Sequence, residues 1–160
     1  MDTISLCMIV RDEEPVLIRC LESAAGLYDE LVIVDTGSAD RTREIARGYT
    51  DKVYDFPWVD DFSAARNFAF EQASMHYCMW LDADDVIPED QRDRFLSVKE
   101  NDLPAADVVM LPYHTAFDAA GRPTFTYYRE RIVRNDPRFR WKGAVHEAIA
   151  PAGKVIYREA

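Results

Sequence analysis

The 160-residue chain is predicted to be an α/β protein with a mostly parallel central sheet and a mixed C-terminal part. Three observations predict it. The first hundred residues or so alternate strand-sized apolar runs with segments of helical periodicity, joined by short connections, which is the pattern of a doubly wound sheet. The runs Ile4–Val10 and Glu30–Val34 are almost continuously apolar and rich in branched residues, as strands buried on both faces require. Beyond Leu103 the alternation stops and extended segments dominate.

Taken in order, Ile4–Val10 (ISLCMIV) is the first strand. In the RDEEP that follows, Pro15 suits a first helical position, and Asp12, Glu13 and Glu14 complement the positive end of a helix dipole. Val16, Leu17, Cys20, Leu21 and Ala24 recur at helical spacing, and Gly26 is the stop. Glu30–Val34 (ELVIV) is the second strand and runs into Asp35, Thr36, Gly37 and Ser38. Ser38 or Asp40 is expected to cap a helix reaching Tyr49. Lys52–Phe56 is a short third strand. Residues 62–73 (FSAARNFAFEQA) read as a helix with Phe62, Ala65, Phe68, Ala69 and Ala73 as its apolar stripe. Tyr77–Leu81 (YCMWL) is the fourth strand, Asp82, Ala83, Asp84 and Asp85 follow directly, and Pro88 opens a helix to about Val98. Residues 107–113, 125–133 and 139–149 read as extended, with a hairpin turn at 118–123 (DAAGRP). There is no internal repeat, low-complexity tract or linker, so residues 1–160 are expected to form a single domain.

Composition narrows the classes. Lys plus Arg is 19 and Asp plus Glu is 29, a formal net charge of −10, which disfavours nucleic acid as a partner because the two would repel. A hydrophobic fraction of 48% supplies enough apolar surface to offset the entropy of ordering. No apolar run approaches the roughly 18 residues of a membrane span, and the N-terminus lacks the pattern of a signal peptide. Cys7, Cys20 and Cys78 are widely spaced with no CxxC, so buried, reduced thiols of a cytoplasmic protein are expected rather than a zinc site.

In open parallel sheets ligands bind beyond the carboxyl ends of the strands. Here the first strand ends at Arg11, Asp12 and Glu13, the second at Asp35, and the fourth at Asp82, Asp84 and Asp85. Packing does not require acids there, and a concentration of them at one edge invites a divalent cation, with hard oxygen ligands suited to Mg or Mn. The strongest local signal is WLDADD, a buried strand leading straight into Asp-x-Asp: one carboxylate can meet a ribose hydroxyl while the other holds a metal bridging two phosphates. Two plainer readings compete, Asp85 as a cap of the Pro88 helix and Asp35 as a cap acting through the TGS turn. Trp80 reads as core, while Trp58 is a candidate pocket residue and Trp141 a candidate ring for stacking on a sugar, with packing as the commoner reading of a tryptophan beside each.

The segments ISLCMIVRDEEPVLIRCLESA, DELVIVDTGSADRTREIA, DFSAARNFA and WLDADD together resemble glycosyltransferase family 2, and more narrowly its bacterial branch often associated with tandem helical repeats. The resemblance runs from Ile4 to about Asp90 and continues more weakly to RWKGAVHEAI at 140–149. It implies the GT-A fold, with a nucleotide-binding half over about 1–100 and an acceptor-side half over about 101–160, and metal-dependent transfer from a nucleotide-sugar donor, UDP being the commonest, with inversion. The acceptor stays open as glycan, lipid or protein. By position, Val10, Arg11 and Glu13 match the loop that holds base and ribose, and Asp35 matches the acid that reads the base edge. Arg66 matches a helix residue facing the nucleotide, Asp82 the ribose or phosphate side of Asp-x-Asp, and Asp84 the metal ligand. His146 falls near the metal or diphosphate, and Glu147, ahead of Asp85, is the implied general base.

Two other functions compete. A nucleotidyltransferase would want a Gly-rich, cationic loop after the first strand, where RDEEP is acidic and glycine-free. A non-catalytic or truncated nucleotide-sugar-binding domain gains weight from the shortness of the acceptor-side half. A dinucleotide-binding oxidoreductase is excluded by the absence of GxGxxG.

Overall fold

The computed structural model describes residues 1–160. Nine strands and four α-helices follow one another as β1 (Ile4–Val10), α1 (Leu17–Ala24), β2 (Glu30–Asp35), α2 (Thr42–Arg47), β3 (Val53–Asp55), α3 (Phe62–Glu71), β4 (Tyr77–Trp80), α4 (Arg92–Ser97), β5 (Val108–Phe117), β6 (Pro123–Arg134), β7 (Trp141–Lys142), β8 (Ala148–Ile149) and β9 (Val155–Tyr157). Seven strands form one sheet in the order β3-β2-β1-β4-β6-β5-β9, while β7 and β8 pair separately. β1 to β4 are mutually parallel, and β6 runs antiparallel to both β4 and β5. This is the expected mostly parallel sheet with a mixed C-terminal part.

Alternation along the strands builds two cores. Ile4, Leu6, Met8 and Val10 of β1 face one side, where Leu17, Leu21 and Ala24 of α1 and Phe95 of α4 cover them. Cys7, Val32, Cys78 and Trp80 face the other side, against Ala69 and Phe70 of α3, with Phe139 and Trp141. Every residue of β2 is buried, as its unbroken apolar run predicts. All three cysteines are buried and free.

Several expected boundaries move. Pro15 lies in a turn before α1, where the N–H groups of Val16 and Leu17 both donate to Glu13 O (3.1 and 2.9 Å). α2 is shorter than predicted, and its preceding residue Arg41 gives no side-chain cap, although Asp40 accepts from Thr42 N at 2.9 Å. Phe62 leaves the expected stripe of α3: it is 38% exposed and packs edge-on against Trp58 (centroids 4.8 Å apart), while Phe70 takes the core position. Residues 139–149 hold two two-residue strands rather than one long one, because Gly143 (φ 99°) and His146 (φ 55°) adopt left-handed backbone between them. The hairpin turn forms as expected, with Asp118 accepting from Ala120 N and Arg122 N, both at 2.9 Å. β9 carries no sequence signal that marked it out.

Candidate functional site

Strand order places the site. From β1 the chain moves outward to β2 and β3, then jumps back to lay β4 on the other flank of β1. The switch point therefore lies between β1 and β4, and the crevice beyond their carboxyl ends is bounded by residues 10–13 and 82–85.

The β1 loop is braced by the loop after β2. Asp12, at φ 52°, accepts from Ala39 N (2.7 Å) and donates its own N–H to Ser38 Oγ (3.0 Å). Glu13 N donates to Thr42 Oγ1 (2.8 Å). Asp35 sits one layer behind. Its Oδ1 accepts from Gly37 N (3.0 Å), Ser38 N (2.9 Å) and Arg43 Nη2 (2.9 Å), while Oδ2 is buried without a partner. Burial alone would raise the Asp35 carboxyl, but the bonds from Ser38, Arg43 and Gly37 outweigh it and hold it below the usual carboxylate range.

The acidic turn after β4 is equally built. Asp85 N donates to Asp82 O (3.0 Å), and Asp85 Oδ2 accepts in return from Asp82 N (2.9 Å). The same oxygen meets Arg131 Nη1 at 3.1 Å, and that guanidinium lies 3.9 Å from the Trp80 ring centroid. Asp85 is thus an internal anchor rather than a helix cap; burial pushes its carboxyl up, and Arg131 opposes the shift. Carboxylate oxygens of Asp82, Asp84 and Asp85 all come within 4.8 Å of one another, a possible cation site of hard ligands, with Asp84 exposed toward solvent.

Arg66 of α3 ties the crevice together. Its Nη2 donates to Asp82 Oδ1 (2.6 Å) and its Nε to Glu147 Oε1 (2.8 Å), with the guanidinium 5.0 and 4.8 Å from the ring centroids of Trp80 and Trp141. The Glu147 loop is held by the same helix. Asn67 donates to Trp141 O (3.0 Å) and accepts from Trp141 N (2.7 Å), and Phe62 N donates to Ala144 O (3.0 Å).

Two hollows result, sharing Arg66, Asp82 and Glu147 as their dividing wall. The first, about 550 Å³, gathers Val10, Arg11, Glu13 and Asp84, with Trp58 and Phe62 opposite. Burial and the neighbouring Asp84 and Asp82 carboxylates raise the Glu13 carboxyl. The second, about 480 Å³, is lined by Trp80, Tyr113, Tyr127, Arg129 and His146 besides the wall. So the expected residues Val10, Arg11, Glu13, Arg66, Asp82, Asp84 and Glu147 meet at one cavity. His146 lines only the second hollow and stands outside the carboxylate cluster, and Asp35 and Asp85 line neither. Trp58 lines the first hollow, whereas Trp141 is core, 3% exposed and packed edge-to-face against Trp80. Sequence reading missed Tyr113, Tyr127 and Arg129, which look like ordinary strand residues until the hairpin folds them toward β4.

A switch-point crevice faced by an acidic turn, on a sheet of this order, defines the class: a GT-A transferase fold. The glycosyl transferase family 2 model matches residues 5–159, and the chain belongs to that family of transferase enzymes. It is 38% identical over 150 residues to a TPR repeat-containing protein of Synechococcus elongatus, covering 93% of this chain and 36% of that one. It is 28% identical over 160 residues to the lipopolysaccharide core biosynthesis glycosyltransferase LpsC of Rhizobium meliloti, covering 95% of this chain and 58% of LpsC. Among solved structures, S. aureus TarS 1-349 in complex with UDP-GlcNAc matches with TM-score 0.58 and 25% identity, over 76% of this chain and 37% of that one. The chain therefore spans between 36% and 58% of the length of these two curated relatives. No helix is long and apolar enough to cross a membrane.

Proposed function

We propose that this chain carries the donor site of a glycosyltransferase that moves a sugar from a UDP-sugar to an acceptor hydroxyl, with a divalent cation and with inversion. The observation that carries the reading is the meeting of the β1 loop and the acidic turn across one cavity at the switch point, where a nucleoside diphosphate would place its base toward β1 and its phosphates toward β4. The UDP-GlcNAc bound by TarS supports the choice of donor.

Each residue has a task in this reading. Val10, Arg11 and Glu13 cradle base and ribose, while Asp35, buried one layer behind and lining neither hollow, supports that end of the site by ordering the turn through Gly37 N, Ser38 N and Arg43. Asp84 would hold Mg or Mn beside Asp82 on the ribose or phosphate side, whereas His146, on the second hollow and outside the carboxylate cluster, would face the diphosphate from there rather than complete the ion's ligand set. A divalent ion there supplies Lewis-acid stabilisation of the charge growing on the diphosphate leaving group. Arg66 offers a planar set of donors to the same phosphates. As they draw it away, Glu147 is released from its 2.8 Å bond and becomes free to take the acceptor's proton. Glu147 is preferred as base over Asp85, whose Oδ2 is committed to Arg131 and Asp82 N. The free, buried thiols agree with a reducing, cytoplasmic setting.

Thermal unfolding tests the donor site. UDP-sugar with Mn at about 100 times its dissociation constant is expected to stabilise the chain by about 2.7 kcal/mol, with Asp84→Ala abolishing the metal-dependent part. No shift with any nucleoside diphosphate sugar refutes the reading, and a shift with nucleoside triphosphates alone transfers it to a nucleotidyltransferase. For the base, UDP release is expected to fall by about 10²- to 10⁴-fold in Glu147→Gln while UDP affinity holds; an unchanged rate removes Glu147 from the role.

A further inference from the structure

The second hollow does not end at the crevice. Arg131, stacked on Trp80, also lies 4.7 Å from the Tyr113 ring centroid. Tyr113 pairs across the hairpin with Tyr127, their rings 5.4 Å apart, and Phe125, two residues along the same face, follows at 5.8 Å. The series leads from buried to open surface: Trp80 is 2% exposed, Tyr127 37% and Phe125 59%. Three aromatic side chains thus lie in sequence on the outer half of the hairpin, and two of them, Tyr113 and Tyr127, line the second hollow.

We infer that Tyr113, Tyr127 and Phe125 form a track for a neutral oligosaccharide acceptor, whose terminal ring enters the second hollow and whose next rings lie along β5 and β6. The inference rests on the donor reading of the first hollow and names the class of acceptor. A pyranose presents an apolar C–H face and a rim of hydroxyls, so it wants an aromatic surface beneath it and charged hydrogen-bonding groups at its edge. The hollow supplies both: aromatic rings, with Arg129 and Glu147 on the rim. The Tyr113 hydroxyl, protonated at neutral pH like any tyrosine, adds a donor to the lining. An acyl chain fits poorly, because Arg66, Asp82, Arg129 and Glu147 would have to lose water to an apolar partner. A peptide adding as a strand would use the hairpin's edge, not its aromatic face. A polyanionic acceptor meets the acidic turn and a chain of net charge −10.

Saturation-transfer NMR on the intact 160-residue chain tests this, with maltotetraose, cellotetraose and chitotetraose as probes and UDP binding measured in parallel. At least one tetrasaccharide is expected to bind, more tightly than its monosaccharide. Tyr127→Ala and Phe125→Ala are each expected to weaken it by about tenfold, equivalent to about 1.4 kcal/mol, with UDP affinity unchanged. Thr126→Ala, between Phe125 and Tyr127 on the other face of β6 and bonded there to His114, should leave both ligands unaffected. Silence from all three tetrasaccharides up to about 10 mM, with UDP bound, overturns the track and leaves the donor reading standing. Binding that ignores the Tyr127 and Phe125 changes, or binding only to dodecylphosphocholine micelles or to a serine-containing peptide, overturns it equally. Tetrasaccharide binding that depends on Tyr127, without any UDP binding, retains the track and removes the donor reading.

Discussion

Arg131 and Asp85 show how much of the acidic turn is scaffold. The pair is nearly buried, with side chains 6% and 10% exposed, and the Asp85 oxygen that meets Arg131 also accepts from Asp82 N. Removing one partner of a buried pair leaves the other charge without compensation, which costs about 3–5 kcal/mol. Arg131→Met is therefore expected to lower unfolding free energy by that order in urea titrations, and Asp85→Asn in the same background to recover part of it. A loss no larger than that of an exposed ion pair would show that Asp85 finds solvent, and would return it to contention as a base. The sequence displayed the cluster of acids clearly. It could not divide their labour, because what separates Asp84 from Asp85 is an arginine 46 residues further along, brought back by antiparallel pairing of β6 with β4.

The turn after β2 joins two of the readings weighed from sequence. Asp35 does organise the TGS turn, through Gly37 N and Ser38 N, and it also retains an unpartnered buried oxygen. Because its folded carboxyl lies below the ordinary value of about 3.9, its contribution is complete above that pH and is lost as pH falls through the lowered value. Asp35→Asn is expected to be less stable than the parent at neutral pH and to converge with it in acid, read from urea midpoints across a pH series. Parallel pH profiles would mean that Arg43 and the turn N–H groups do not favour the ionised form. Strands β1, β2 and β4 were legible because burial on both faces leaves a continuous apolar run. Residues 139–149 show an extended pattern but not its division into β7 and β8, and β9 shows no signal, since strands of two or three residues are fixed by long-range partners such as Asn67 and Val108 rather than by local pattern. The outer hairpin has a legible extended pattern, but its aromatic face gains a destination only where Tyr113 and Tyr127 lie with Asp82 around the second hollow.

The resemblance divides the chain into a nucleotide-binding and an acceptor-side half, yet the physical join between them is continuous. β4 pairs with β6 through Tyr77↔Arg134, Cys78↔Val133 and Met79↔Ile132, so one sheet crosses the division. The Tyr77 hydroxyl donates to the carbonyls of Leu103 and Ala106 from within the first core, and Asn135 donates to Ala73 O and Met75 O. Val109, Leu111 and Ile132 belong to the same apolar cluster as β1 and α1. Residues 1–104 alone would leave β4 as an unpaired apolar edge and strip that cluster of these three side chains. Residues 1–160 are therefore proposed to unfold as one unit, with tryptophan fluorescence from Trp58, Trp80 and Trp141 and far-ultraviolet circular dichroism tracing the same urea transition. UDP binding should shift both probes together, since the ligand's proposed contacts come from both halves. The fragment 1–104 is expected to give no cooperative transition and to aggregate through its exposed edge. A cooperative transition for that fragment, or two resolved transitions in the whole chain, would divide the molecule at Leu103, and Arg66, Asp82 and Glu147 would then hold together two independently folding parts instead of closing a single site.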